Sequence, residues 1–232
     1  MSTLKELRDE VKSDLDLEDS TFGEDVTISD ADINRWINLG IKKAERIIMG
    51  LYEDYFLSFT SIAITTATNK YDYPVDIYGN KIRKVIFDNG STSNVHEVKR
   101  IKNISEATQI DLITTDVSDP QLRWYPVNTL SSGRKIQIFP KYSRNGSLSV
   151  WYIRNAKQLT SDSHVTDIDE FSEYIVTYAK MKAAIKDNDP RAKDLQEELA
   201  ELEIDMQATL SSMVPDENDE IQIDTDFYEN SN

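Results

Sequence analysis

The chain has 232 residues, with 26 Lys or Arg against 42 Asp or Glu, so its formal net charge is −16 at pH 7. Such acidity argues against a general nucleic-acid coat, because binding to phosphates needs clustered cations. The chain contains no cysteine, which excludes disulfides, thiol catalysis and cysteine-based zinc sites. Its hydrophobic content of 39% is low for a self-sufficient globule, so we expect it to complete its burial against other subunits. We expect neither a membrane span nor a secretion signal, because no long apolar run is present.

The first 55 residues are predicted to form two helices. Leu4, Leu7, Val11 and Leu15 recur at a spacing of three to four, which predicts a short amphipathic helix. A longer helix is expected to begin after Ser29, which resembles a capping box with Asp32. Its predicted apolar face consists of Ile33, Trp36, Ile37, Ile41, Ala44, Ile48, Leu51, Tyr52 and Tyr55.

After Phe56 the hydrophobic period changes to two, which predicts strands. The predicted strands are residues 57–66, a short segment that ends at Pro74, and residues 81–88, 95–99, 122–125, 134–139 and 147–153. A short helix over residues 105–112 is expected to interrupt them. Ser132-Gly133 and Asn145-Gly146 are turn signals, and we expect them to flank a hairpin.

Helix is predicted again after Asp167 and Asp169, which we expect to cap it. Its predicted buried face consists of Phe171, Tyr174, Ile175, Tyr178, Met181 and Ile185, and a final helix carries Leu195, Leu199, Leu202 and Met206. The two helices are separated by Asn188-Asp189-Pro190 and are expected to form a hairpin. The sequence thus predicts an α+β fold with a helical body (residues 1–57 and 167–212), an antiparallel β-sandwich-like insertion (58–166) and an extended acidic tail (213–232).

The sequence offers no signature of an enzyme, a cofactor site or a metal site. His96 and His164, the only histidines, have no second ligand at the spacing that a metal motif requires. Asp116, Asp119, Asp167 and Asp169 could bind a divalent cation, but they do not form an EF-hand pattern. We therefore expect no enzymatic activity and no cofactor.

A local excess of positive charge lies between residues 81 and 102. Its six basic residues are Lys81, Arg83, Lys84, Lys99, Arg100 and Lys102. In an acidic protein, such a patch could face an acidic partner surface or line a channel that passes DNA. The alternative is a solvated sheet edge, because lysines on edges block strand pairing.

Aromatic residues gather near the ends of the predicted strands: Tyr71, Tyr73, Tyr78, Trp124, Tyr125, Trp151 and Tyr152. They could stack on bases or sugars, and Trp124, Tyr125, Trp151 and Tyr152 could form a carbohydrate-binding module. The alternative is a sandwich core whose tyrosines keep a polar tip in water.

The last twenty residues carry seven carboxylates and no Lys or Arg. Such a segment cannot bury enough apolar surface to fold by itself. It is either a solvated tail that aids solubility or a docking arm anchored by Ile221, Ile223, Phe227 and Tyr228. Ile221 and Ile223 alternate as in a strand, which suits addition to the edge of a neighbour's sheet.

In this order, the pieces resemble the head-to-tail connector (adaptor, or ring) proteins of tailed bacteriophages. The resemblance covers nearly the whole chain. It is carried by the tryptophan-bearing helix at residues 29–38, the Tyr-Asp-Tyr-Pro turn at 71–74, the strands at 136–140 and 148–152, and the helix at 174–185. The chain is also similar to the ring proteins of podovirus-type tails, including those of crAss-like phages.

The resemblance implies a homo-oligomeric ring of twelve subunits beneath the portal, at the head–tail junction of a virion assembled in the host cytoplasm. It also implies that double-stranded DNA passes through the ring, and that the C-terminal segment reaches into the portal or an adjacent tail or ring protein. A tail-completion or tail-terminator protein is the alternative, and it would bind the tail tube rather than the portal.

Overall fold

The structure is a computed structural model that describes residues 2–15, 28–66, 68–90, 95–103, 105, 122–131, 133–141 and 146–213. These residues form helices and two sheets, which confirms the predicted α+β class. The helices are α1 (Leu4–Asp14), α2 (Asp30–Leu51), α3 (Ser172–Asp187) and α4 (Ala192–Met213). The strands are β1 (Leu57–Ile64), β2 (Lys70–Asp72), β3 (Ile77–Asp88), β4 (Val95–Glu97), β5 (Lys99–Arg100), β6 (Arg123–Thr129), β7 (Gly133–Phe139) and β8 (Gly146–Arg154).

Helices α1 and α2 both begin at capping boxes. The Thr3 hydroxyl accepts a hydrogen bond from the Glu6 N–H, and the Glu6 carboxylate accepts one from the Thr3 N–H. Ser29 and Asp32 make the same reciprocal pair at the start of α2, as the sequence predicted. Each box satisfies backbone N–H groups that a helix start otherwise leaves without a partner.

Helix α3 is the central element of the helical body. It is buried on most sides and packs against the other three helices. It approaches α2 closely at Gly40, where a Cβ atom would lie 3.2 Å from the carbonyl oxygen of Ile175. Glycine therefore favours this contact, since a Cβ atom at this position would require the neighbouring backbone to shift by a few tenths of an ångström. The helical core also includes Phe56, just before β1, and Ile153, near the end of β8.

The strands form two four-stranded sheets that pack face to face. The first sheet has the order β1-β8-β3-β4 and the second has the order β2-β7-β6-β5. The described pairs are antiparallel except β5 with β6. One core takes side chains from both sheets, which include Val85, Phe87, Leu148 and Val150 from the first and Tyr71, Trp124, Ile136 and Ile138 from the second. The strands therefore form a sandwich.

The predicted hairpin between the turns at residues 132–133 and 145–146 is wrong. Strand β7 pairs with β2 and β6, whereas β8 pairs with β1 and β3. Both strands contribute apolar side chains to the core between the sheets, so they lie opposite one another instead of side by side. The hairpin is formed by β6 and β7, and Gly133 at its turn has a φ of 69°, which favours glycine.

Three predicted details of the helices are also wrong. Helix α2 ends at Leu51, and the chain then makes a 3₁₀ turn (Glu53–Phe56), so Leu51 is 44% exposed. Ile185, expected on the buried face of α3, is 53% exposed. Asp167 does not cap α3, because its carboxylate accepts hydrogen bonds from Arg154 and from the Lys157 N–H. Asp169 does not cap it either, since the N-cap residue of α3 is Phe171, where no side-chain hydrogen bond is made. The predicted helix at 105–112 lies outside the described residues, except for its first residue.

Residues 155–168, the connecting segment, link β8 to the turn before α3 and are hydrogen-bonded to α2. The Asn38 amide donates to the Leu159 carbonyl (2.9 Å) and accepts from the Leu159 N–H (2.8 Å). The buried Glu45 carboxylate accepts from the Ala156 N–H (2.6 Å). These bonds satisfy backbone groups that have left the sheet and would otherwise be buried without a partner.

The same segment is also bound to the start of the chain. Arg8 on α1 makes a two-pronged ion pair with Asp162, at distances of 2.9 and 3.0 Å. Thr3 and Val165 form an antiparallel bridge. The sandwich is therefore attached to both N-terminal helices.

Among the described helices, none has the length and apolarity needed to cross a lipid bilayer.

We expect Glu45→Ala to lower the free energy of unfolding by about 1–3 kcal/mol, because it leaves the buried Ala156 N–H without an acceptor. Glu45→Gln should cost less, since the amide oxygen can still accept. Denaturant unfolding measures both, and the exposed Glu10→Ala serves as the control. Equal losses for the two Glu45 variants would contradict this role.

Asp32 makes the stability of the fold depend on pH. Hydrogen bonds from Lys186, at 2.9 Å, and from Ser29 lower the pKa of Asp32 from 3.8 to about 2. Because the folded pKa lies below the unfolded one, the stabilisation is present above pH 3.8 and is lost as the pH falls to about 2.

The difference in urea midpoint between the wild type and Asp32→Asn should therefore shrink over that pH range. A difference that is constant with pH would contradict this assignment.

Candidate interaction surfaces

The first two residues of the predicted basic patch are neutralised within the chain. Lys81 and Arg83 on β3 both pair with Glu53 in the 3₁₀ turn, and the Arg83 guanidinium lies 2.7 Å from Glu53 and 3.0 Å from Asp54. The hydrogen bond from Lys81 is the main reason that the pKa of Glu53 is lowered. These two cations therefore meet carboxylates of their own chain.

The third residue, Lys84, lies 3.6 Å from Glu97 on β4. Immediately after Glu97, the side chain of Val98 is buried and its N–H donates to the Val85 carbonyl (2.8 Å). Here the chain leaves the first sheet and enters the second, so the strand predicted at 95–99 is divided into β4 and β5. The patch is divided at the same point.

The other three basic residues lie on or just after β5. The Arg100 guanidinium lies over the Trp124 ring, 5.5 Å from its centroid. Lys99 and Lys102 are exposed, and neither makes an ion pair with any described residue. The six residues therefore do not form one continuous patch.

The aromatic residues do not share one surface either. Trp124 and Tyr152 are buried in the sandwich core, each about 5% exposed. The Tyr152 hydroxyl donates to Asp76 (2.8 Å), which satisfies its polar tip. Since these two rings are buried, they cannot form a sugar-stacking platform together with Tyr125 and Trp151.

Trp151 instead lies on the outer face of the first sheet. Its indole stacks on Phe59, with 5.2 Å between ring centroids, and Phe59 is 62% exposed. Phe59 belongs to β1, an edge strand that pairs only with β8 among the described strands. Residues 57–69 contain no charged residue and β1 contains no proline, so two of the usual protections of an edge strand, charge and proline, are missing from β1.

The stacked pair and the β1 edge together form a candidate contact surface, which we call the β1 surface. This surface was not predicted from the sequence. The available signal was a run of fifteen uncharged residues, 55–69, in a chain that is 29% charged.

Neither histidine takes part in a metal site of the described residues. The His96 ring lies against Phe87, at 5.5 Å, and the His164 Nδ1 accepts from the Thr160 N–H (3.2 Å). No cluster of His, Asp or Glu within the described ranges could hold a metal ion. Asp116 and Asp119 lie outside those ranges, as do the four predicted tail anchors Ile221, Ile223, Phe227 and Tyr228.

Comparison with known protein families identifies the family of this chain. The family model described as "SU10 adaptor protein" matches residues 2–220, which include both the helical body and the sandwich. The matched span ends immediately before Ile221. The curated proteins include no match to the chain.

The exposure of the β1 surface leads to a stability prediction. Phe59→Ala should lower the free energy of unfolding by about 1 kcal/mol or less, because little of the ring is buried. Phe87→Ala, in the core between the sheets, should cost about 3–5 kcal/mol. Denaturant unfolding of the two variants measures both. A loss for Phe59→Ala as large as that for Phe87→Ala would show that the ring is structural.

Proposed function

The chain belongs to the SU10 adaptor protein family, and from this premise we propose that this phage structural protein forms an adaptor ring between portal and tail. The ring is a homo-oligomer of twelve subunits with double-stranded DNA passing through its lumen. The family match over residues 2–220 carries the proposal. It supports a virion component that interacts with other virion proteins.

The two-part architecture is compatible with this function. We propose that the helical body, residues 1–57 and 167–212, makes the ring, and that the insertion, residues 58–166, faces the next component. Identical copies must present the insertion at one angle if they are to bind a common neighbour. The hydrogen bonds between the connecting segment and Asn38, Glu45 and Arg8 support this, because they attach the sandwich firmly to the body.

The β1 surface supports contact between the insertion and a neighbouring virion protein. Exposed aromatic side chains are frequent anchors of protein interfaces. A free edge strand can also accept a strand from a partner through backbone hydrogen bonds. We propose that the next component binds at Phe59, Trp151 and the β1 edge.

The charge distribution is compatible with DNA passage. A channel with many cations would bind phosphates tightly and retain the duplex, whereas the net charge of this chain is −16. Because Lys81, Arg83 and Lys84 are paired with carboxylates, they are poor candidates for DNA contacts. We propose Lys99, Arg100 and Lys102 as the contacts to DNA or to an acidic partner surface.

We propose that the tail, residues 213–232, is a docking arm that binds the portal or an adjacent ring. Helix α4 ends at Met213, and a fully extended chain from there to Asn232 would reach up to about 65 Å. This reach is sufficient to bind a neighbouring protein. Ile221, Ile223, Phe227 and Tyr228 would supply the apolar contacts, and the seven carboxylates of the tail would keep the unassembled subunit soluble.

Replacing the four anchors by serine tests this docking function. We expect the variant to fold and form rings normally but to bind purified portal protein at least about 100-fold more weakly, since four apolar side chains no longer become buried. Co-sedimentation over a range of portal concentrations measures the affinity.

The matched control neutralises four carboxylates of the same tail: Asp216→Asn, Glu217→Gln, Asp219→Asn and Glu220→Gln. It should bind the portal within about tenfold of the wild type, because the tail's carboxylates are assigned to solubility. Undiminished binding by the serine variant would refute the anchor role. Binding of the wild-type ring to the tail tube but not to the portal would identify a tail-completion protein instead.

A further inference from the structure

Helix α2 presents a row of cations to solvent, here called the basic stripe. It consists of Arg35, Lys42, Lys43 and Arg46, all of them exposed. At 3.6 residues per turn they occupy an arc of about 100° on one side of the helix. None of the four makes an ion pair with a described residue. Leu39, which is 39% exposed, lies within the same arc.

Helix α4 presents a row of carboxylates, here called the acidic stripe. It consists of Asp194, Glu197, Glu198, Glu201 and Asp205, and all five are exposed. They also occupy an arc of about 100°. The one described cation paired with the stripe is Lys193, 3.7 Å from Glu197. Ile204, which is 65% exposed, lies at the edge of this arc.

Each stripe is unfavourable in an isolated subunit. Like charges four positions apart on a helix destabilise the helix. This spacing occurs between Glu197, Glu201 and Asp205 in the acidic stripe and between Lys42 and Arg46 in the basic stripe. No ion pair joins the two stripes within the described part of the chain. Opposite charge that covers a row would relieve the repulsion within it.

The two stripes match in length as well as in sign. Residues 35–46 and residues 194–205 each span twelve positions, or about 16 Å of helix. Each carries an exposed aliphatic side chain beside its charges, Leu39 in one case and Ile204 in the other. The rows therefore have the dimensions and the composition of two halves of one helix–helix contact.

We propose that the basic stripe of one subunit binds the acidic stripe of the next copy of the same chain. This inference rests on the proposed ring, because a contact between two different surfaces repeats from copy to copy until the ring closes. DNA or the chain's own acidic tail could cover the basic stripe, but either would leave the acidic stripe exposed. A second copy is the occupant that neutralises both.

The test is a charge reversal on each stripe followed by their combination. Lys42→Glu with Arg46→Glu should raise the concentration needed for ring assembly at least about 100-fold, because carboxylates then face carboxylates. Glu201→Lys with Asp205→Lys should do the same. The chain that carries all four substitutions should assemble within about tenfold of the wild type, because the opposite signs are restored.

Lys141→Glu with Lys157→Glu is the matched control, since it makes the same change in charge at exposed lysines outside both stripes and should assemble normally. Native mass spectrometry over a concentration series measures assembly, and circular dichroism checks the fold. Rings formed equally well by the Lys42/Arg46 variant, or no recovery in the combined variant, would overturn the proposal while leaving the ring function intact.

Three further outcomes would also overturn it. Normal rings with weakened binding of duplex DNA in the Lys42/Arg46 variant would assign the basic stripe to DNA. Loss of rings on deletion of residues 214–232, with normal rings in the Glu201/Asp205 variant, would show that the tail is the partner of the basic stripe. A wild-type chain that never assembles, even with portal protein, would overturn both this inference and the proposed function.

Discussion

Backbone groups that leave a sheet need new hydrogen-bond partners, and the connecting segment finds them on α1 and α2. Asn38 and Glu45 bind its N–H and carbonyl groups from within the long helix, and Arg8 binds Asp162 from the short one. An unpaired buried amide is costly, so the sandwich cannot swing away from the helical body without losing these bonds. The position of the sandwich on the helical body therefore depends on these polar side chains together with the apolar core that Phe56 and Ile153 share with the helices.

A second constraint is charge. Several cations of the insertion form ion pairs within the chain; for example, Lys81 and Arg83 both pair with the Glu53 carboxylate. The helical body differs, because among the described residues the exposed cations on α2 make no ion pair, and of the exposed carboxylates in the acidic stripe on α4 only Glu197 makes one, with Lys193. In an acidic chain with a modest hydrophobic content, contacts between copies are expected to use charge together with small apolar areas. The sandwich offers the complementary kind of surface, an uncharged edge with two stacked aromatic rings.

Structural features that are set by residues close together in the sequence can be predicted from it. The capping box of α2, the period of α1 and α2, and most strand positions follow from local patterns, and the structure confirms them. Strand partners do not follow in this way, because the core between the sheets decides that β7 and β8 lie opposite one another. The placement of the six basic residues does not follow from local patterns either: Lys81 meets Glu53, which is 28 positions away, and at Val98 the chain passes to another sheet. The exposure of Phe59 on an edge strand likewise depends on strand pairing, although the uncharged run around it is present in the sequence.

The central claim is that this member of the SU10 adaptor protein family forms a ring on the portal. Imaging and mass measurement of the chain assembled with purified portal protein test it most directly. We predict a closed ring of twelve copies on one face of the portal, with an open lumen wide enough for duplex DNA. A chain that stays monomeric in the presence of the portal, or an assembly without a lumen, would contradict it.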